Sequence, residues 1–259
     1  MKTVILCGGY GTRIRDVADN IPKPMIPLGD YPILWHIMKG YAAAGHQDFV
    51  LCLGYKGEVI KDFFLNYQAR TNDFTITLGK DRAIDYHGEH GESGWTVTLA
   101  DTGLDSMTGT RVAQVRGYVG DDDFLLTYGD GLADIDYGKL LDFHRAHGKA
   151  MTVTGVRPPG RFGEMECEDD GRVREFNEKP QASGGLISGG FFICSTKVFD
   201  YLGDGPDVVL EQTPMRRLVA DGEMMVYRHD GFWQCMDTYR DYRLLDDLWH
   251  SGKAPWKSW

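Results

Sequence analysis

The stretch Thr3-Val4-Ile5-Leu6-Cys7-Gly8-Gly9-Tyr10-Gly11-Thr12-Arg13 runs from an unbroken apolar segment into a glycine-rich turn that closes on an arginine. A short apolar, β-branched run before glycines reads as a buried strand. Glycines at 8, 9 and 11 let backbone N–H groups close around an anion, and Arg13 adds a bidentate donor for phosphate oxygens. The turn is not a Walker loop, because Gly-Lys-Ser/Thr is absent. It fits the dinucleotide fingerprint poorly, because Ile14 stands where the third glycine would be. Taken alone, it is equally a tight strand-to-helix turn.

Outward from this turn, strand-like runs at 3–7 and 49–53 alternate with helical patterns at 33–44 and 58–67. A helix at 110–118, a buried strand at 124–127 and a helix at 137–147 follow. Strands separated by helix-length segments imply parallel βαβ units, so the expected fold is α/β, a Rossmann-like doubly wound sheet. Beyond about residue 150 the pattern turns β-rich (151–156, 172–176, 190–194), with helices at 208–220 and 239–249, which predicts a mixed sheet. One domain over 1–259 is expected, with a nucleotide-binding part to about 150 and a second part from 151. Ligands of such sheets lie beyond the carboxyl ends of the strands, which directs attention to the loops after Cys7 and Tyr128.

A net charge of −10 argues against nucleic acid and anionic membranes as partners, since both demand a basic face. The apolar N-terminal run is too short for a signal peptide and no run reaches bilayer length, so a cytoplasmic protein is expected. Cysteines 7, 52, 167, 194 and 235 form no Cys-x-x-Cys pair and read as reduced thiols. The polar, aperiodic segment 79–94 reads as a long loop. Its His87, Glu89 and His90 fit either a metal site or a solvated loop.

Two further motifs carry chemistry. Prolines flank Lys23 in Pro22-Lys23-Pro24 and stiffen the segment that presents the ammonium, which suits a fixed cation over a phosphate or, alternatively, a solvated lysine. Asp130, in Tyr128-Gly129-Asp130-Gly131, falls at a carboxyl end of the sheet. It is a turn residue if isolated and a Mg²⁺ ligand if a second carboxylate joins it. Asp237 is the candidate second carboxylate, or else the N-cap of the helix beginning at Tyr239.

Gly8-Gly9-x-Gly11-Thr12-Arg13 followed by Lys23-Pro24-Met25 resembles the signature of the sugar-nucleotide pyrophosphorylases, the nucleotidyltransferases that make NDP-sugars. The resemblance runs on through Gly54-Tyr55-Lys56-Gly57, Asp101-Thr102-Gly103, Met107-Thr108-Gly109, Glu178-Lys179-Pro180, Gly189-Gly190-Phe191-Phe192 and Gly231-Phe232-Trp233-Gln234, and it is strongest to the cytidylyltransferases of the family. It implies the nucleotide-diphospho-sugar transferase fold, CTP and glucose 1-phosphate as substrates, and Mg²⁺ as cofactor. It also implies a homo-oligomer, a hexamer by likeness. Its nucleotide-binding residues correspond to Leu6, Gly8, Gly9, Gly11, Thr12 and Arg13, with Lys23, Thr102, Gly103, Arg111 and Asp130. Arg111 would stand in the base pocket, where arginine donors suit the oxygen and ring nitrogen of cytosine. Sugar-phosphate contacts fall to Tyr128, Glu178, Lys179, Ser188 and Gly189, the metal to Asp130 and Asp237, and catalysis to Lys23, Arg13 and Asp130. Without the resemblance, Glu178 and Lys179 are equally a surface ion pair.

Ser188 replaces an Asn usual in the family, which leaves room for another hexose 1-phosphate, and Cys7 replaces the more familiar Ala. UTP or dTTP in the same cleft, or a catalytically silent sugar-nucleotide sensor, are the other readings. A sugar phosphate oxygen is already anionic at neutral pH, so the expected in-line attack on the α-phosphorus calls for no general base.

Overall fold

The computed structural model describes residues 1–11, 14, 20–79, 83–158, 164–168, 172–177, 185–203, 205 and 207–259. Its centre is a seven-stranded sheet in the order Met224–His229, Met151–Val156, Ile187–Cys194, Phe124–Tyr128, Lys2–Leu6, Asp48–Leu53, Thr96–Asp101. Lys2–Leu6 pairs in parallel with Asp48–Leu53 on one side and Phe124–Tyr128 on the other. Ile187–Cys194 runs antiparallel to both of its neighbours, which makes the sheet mixed, as expected. Strands from both halves of the chain share this one sheet.

Alternation along the strands decides which core each side chain enters. Val4 and Leu6, Val50 and Cys52 point into one apolar cluster together with Val112, Phe199 and Leu218. Ile5, Phe49, Leu51 and Leu53 point into the other, which holds Ile33, Leu34, Ile37, Met38 and Tyr41 of the helix Ile33–Ala43. Burial of the central strands on both faces is what their unbroken apolar runs encode.

Three sequence expectations change and one strand is added. The supposed loop 79–94 contains a strand, Ala83–His87, paired antiparallel with Asp73–Thr77 in a hairpin whose residues are mostly exposed. Alternation is present, with Phe74 and Ile76 opposite Tyr86 and Ile84, but it is only two apolar residues long in each strand, and the polar, glycine-containing residues around it carry the loop reading. His87 there bonds Thr75 at 2.8 Å and His90 stacks edge-on against Tyr67, and among the described residues no three ligating side chains converge on a metal position. The expected helix at 110–118 is two short helices, Thr108–Gln114 and Arg116–Val119. The expected helix at 208–220 begins only at Thr213, because residues 208–210 bond instead to the start of the helix Thr108–Gln114. The sheet's last strand, Thr96–Asp101, has no forerunner in the sequence reading. Cys7, Cys52, Cys194 and Cys235 are free thiols, and no helix among the described residues is long and apolar enough to cross a membrane.

Candidate active site

A cavity of about 400 Å³ opens beyond the carboxyl ends of Lys2–Leu6 and Phe124–Tyr128. Leu6, Gly8, Gly9, Gly11, Lys23, Arg111 and Asp130, all named as nucleotide-binding in the sequence reading, line it. Thr102 and Gly103 lie behind Arg111 and bond its guanidinium. Thr12, Arg13, Glu178 and Lys179 fall outside the described residues.

The cavity floor is organised by one cation. Lys23 opens a single turn of 3-10 helix, Lys23–Met25, entered from an extended Pro22. Gly11 packs against its stem: at φ +60°, a Cβ there would stand 3.1 Å from the Lys23 Cβ. The Lys23 Nζ lies 2.5 Å from Asp130 Oδ2 and 2.6 Å from Asp237 Oδ1. Burial alone would lower the lysine pKa, but the attraction and hydrogen bonds of the two aspartates outweigh it and hold the ammonium above its ordinary range.

The fold settles the alternative for Asp237. The helix Tyr239–His250 is capped by Thr238, whose hydroxyl and backbone form a capping box with Asp241. Asp237 is thus not the cap, and its carboxylate turns to Lys23. It is brought there by a short ribbon in which Trp233–Cys235 pairs antiparallel with Gly131–Ala133, continued by Met236 N donating to Asp130 O at 2.9 Å. Two segments about a hundred residues apart deliver their carboxylates to one point because their backbones are hydrogen-bonded.

Arg111, expected to face a base, spends its donors on protein acceptors. It donates to Leu53 O (2.9 Å), Thr102 Oγ1 (2.8 Å), Gly103 O (2.8 Å), Gly8 O (3.2 Å) and Leu104 O (3.1 Å). Its fork ties the glycine-rich turn to the ends of two strands, and burial lowers its pKa. Gly8 and Gly54 are small for a reason: a Cβ on either would lie 2.2 Å or 2.6 Å from Arg111 Nη1.

Beside the large cavity is a smaller one of about 80 Å³, lined by Tyr128, Asp130, Ser188 and Gly189 together with Trp233 and Cys235. Tyr128 and Asp130 belong to both. Trp233 donates its indole N–H to Gly189 O at 2.7 Å, which fixes the small cavity's rear wall. Sequence reasoning missed Trp233 in this role and also missed Glu211, which accepts hydrogen bonds from the Tyr128 hydroxyl and, at 2.8 Å, from Thr108 Oγ1. Nothing in the sequence marked Glu211, which stood inside a supposed helix. Burial, and then Glu211, push the Tyr128 pKa well up, so the phenol keeps its proton.

Residues 2–242 match the nucleotidyl transferase family. A glucose-1-phosphate cytidylyltransferase of Salmonella typhi is 49% identical over 260 residues, covering 100% of both chains. A probable glucose-1-phosphate cytidylyltransferase of Bacillus subtilis is 45% identical over 259 residues, again covering 100% of both. Among solved structures, HddC from Yersinia pseudotuberculosis, complexed with GMP-PN, matches with a TM-score of 0.68 at 21% identity, over 96% of this chain and 99% of that one. That likeness speaks for the fold alone, the nucleotide-diphospho-sugar transferase fold. The turn, the cation and the paired carboxylates at the sheet's carboxyl end, with a family match over nearly the whole chain, make this protein an enzyme of the nucleotidyl transferase family.

Proposed function

We propose that the protein transfers a cytidylyl group from CTP to α-D-glucose 1-phosphate, giving CDP-glucose and pyrophosphate. The full-length identity of 49% to the Salmonella typhi cytidylyltransferase carries the choice of substrates. The convergence of Lys23, Asp130 and Asp237 supports the chemistry.

The glycine-rich turn and Lys23 hold the triphosphate, and the adjoining small cavity takes the hexose, with Tyr128 and Asp130 between them. Lys179 pairs with the phosphate of the sugar phosphate, Glu178 accepts hydrogen bonds from sugar hydroxyls, and Arg13 acts on the nucleotide phosphates. An oxygen of the sugar phosphate attacks the α-phosphorus in line, and the bond from that phosphorus to the bridging oxygen breaks as pyrophosphate leaves with the electron pair. No proton need move, so the residues' work is to position two anions and neutralise charge. Asp130 and Asp237 suit Mg²⁺, because their oxygens already share a single cation and hard divalent ions take one or two carboxylates, waters and substrate phosphates. When bound, the ion supplies Lewis-acid stabilisation of phosphate charge. Residues to about 150 form the nucleotide part and 151–259 the sugar part of one domain. The enzyme works in the cytoplasm as a homo-oligomer, a state favoured by Phe74, Leu78 and Ile84 exposed on the hairpin.

Pyrophosphate release across a grid of nucleoside triphosphates and sugar 1-phosphates tests this reading. CTP with glucose 1-phosphate should give the highest kcat/KM, and a clear preference for UTP, dTTP or another sugar would replace it.

A further inference from the structure

Glu211 is a charged residue bonded to Tyr128, which lines both cavities, and none of the roles above uses it. Its segment is fastened to the start of the helix Thr108–Gln114: Gly109 and Thr110 donate their backbone N–H groups to Val208 O at 2.8 and 3.1 Å, and Leu210 N donates to Thr108 Oγ1 at 2.9 Å. The approach is close enough that a Cβ on Gly109 would stand 2.7 Å from the Val208 side chain, while Leu210 is fully buried beneath. Glu211 is therefore held on a rigid support although its own side chain is exposed.

The partners of this carboxylate are hydroxyls. One oxygen accepts from Tyr128, which lines both cavities, and the other from Thr108, which lines the larger. Among the described residues no cation pairs with it, in contrast to Asp130 and Asp237, which Lys23 neutralises. A carboxylate whose described partners are neutral hydroxyls suits the uncharged parts of the substrates, as the Lys23 ammonium suits the polyphosphate. Each carboxylate oxygen accepts more than one hydrogen bond, so both keep capacity after Tyr128 and Thr108 are served.

We propose that Glu211 is a specificity-determining residue that accepts a hydrogen bond from a sugar hydroxyl of the substrates, on the hexose or on the ribose, with Tyr128 and Thr108 fixing its orientation. The inference rests on the function proposed above. A hydrogen bond from a neutral hydroxyl to a charged acceptor discriminates against the missing hydroxyl by about 10- to 100-fold.

The test measures kcat/KM for the wild type, Glu211→Gln and Glu211→Ala with glucose 1-phosphate and its 2-, 3-, 4- and 6-deoxy forms, and separately with CTP, 2′-deoxy-CTP and 3′-deoxy-CTP. The wild type should lose about 10- to 100-fold on removal of one hydroxyl, and Glu211→Ala should lose a similar factor with the intact substrate and almost nothing more on that one analogue. The series in which the discrimination collapses identifies hexose or ribose. A merely structural role would lower every kcat/KM together and leave the ratios intact. Undiminished ratios at every hydroxyl in the alanine variant overturn the proposal, as would a wild type indifferent to every deoxy analogue. If Glu211→Ala fails to fold, wild-type ratios in Glu211→Met, which keeps the side chain's length without an oxygen acceptor, have the same force. A wild type that uses no CTP or no sugar 1-phosphate would instead overturn the proposed function, so the two failures are distinct.

Discussion

Lys23 and Asp237 are 214 positions apart in the chain, and the Lys23 ammonium lies 2.6 Å from an Asp237 carboxylate oxygen. The same ammonium reaches Asp130 at 2.5 Å. One cation thus gathers the glycine-loop region, the end of a central strand and the approach to the C-terminal helix into a single site.

Lys23→Met should cut turnover by about a thousandfold or more, because it removes a fixed charge from the phosphate site. It also leaves two carboxylates facing each other without their shared cation, so stability should fall by a few kcal/mol. Pyrophosphate release and urea denaturation measure the two effects, and a variant with a tenth of normal turnover would take Lys23 out of the chemistry. The sign of the pH effect follows from the raised pKa. The stabilisation is complete below the lysine's ordinary value of 10.5 and is lost only as pH rises through the higher folded value, so no loss from this group is expected between neutral pH and about 10.

Chelation with EDTA should abolish turnover and Mg²⁺ should restore it. Asp237→Asn should raise the Mg²⁺ concentration for half-maximal rate by about 10- to 100-fold and lower the affinity for Mn²⁺ followed by its paramagnetic resonance. Unchanged metal dependence in that variant would leave Asp237 with no part in binding the metal.

Gly54→Ala tests Arg111 from outside the cavity. The added methyl would sit 2.6 Å from Arg111 Nη1 and 2.7 Å from Gly8 O, so the guanidinium must leave its acceptors and the glycine-rich turn loses its brace. The KM for CTP should rise by about tenfold or more with a smaller change in kcat. An unaltered KM would mean that the brace has no bearing on nucleotide binding.

His36 donates from Nε2 to Leu28 O at 2.9 Å among Trp35, Trp249 and Trp256, and burial lowers its pKa from 6.5 to about 4. The folded state therefore prefers the neutral imidazole. Its contribution is complete above 6.5 and shrinks as pH falls from 6.5 towards 4, by about 3 kcal/mol in all. Denaturation at pH 7 and pH 4.5 should show a smaller acid loss in His36→Gln than in the wild type. Equal losses would show that His36 is not the group responsible.

The sequence determined by itself the parts set by local covalent and hydropathic rules. Unbroken apolar runs became the central strands, glycines 8, 9 and 11 became the turn beyond Leu6, and prolines around Lys23 became its stiff mount. The hairpin at 73–87 escaped because its alternation is only two apolar residues long in each strand and its surroundings are polar, and the helix expected from 208 starts late because residues 208–210 satisfy the start of the helix Thr108–Gln114. Only the tertiary structure decided that Asp237 faces Lys23 while Thr238 caps the helix, that Arg111 braces three loops, and that Glu211 joins Tyr128. Each of these depends on backbone pairing between distant segments, such as Trp233–Cys235 with Gly131–Ala133, and the energy of such pairing is set by which surfaces the whole chain can bury together.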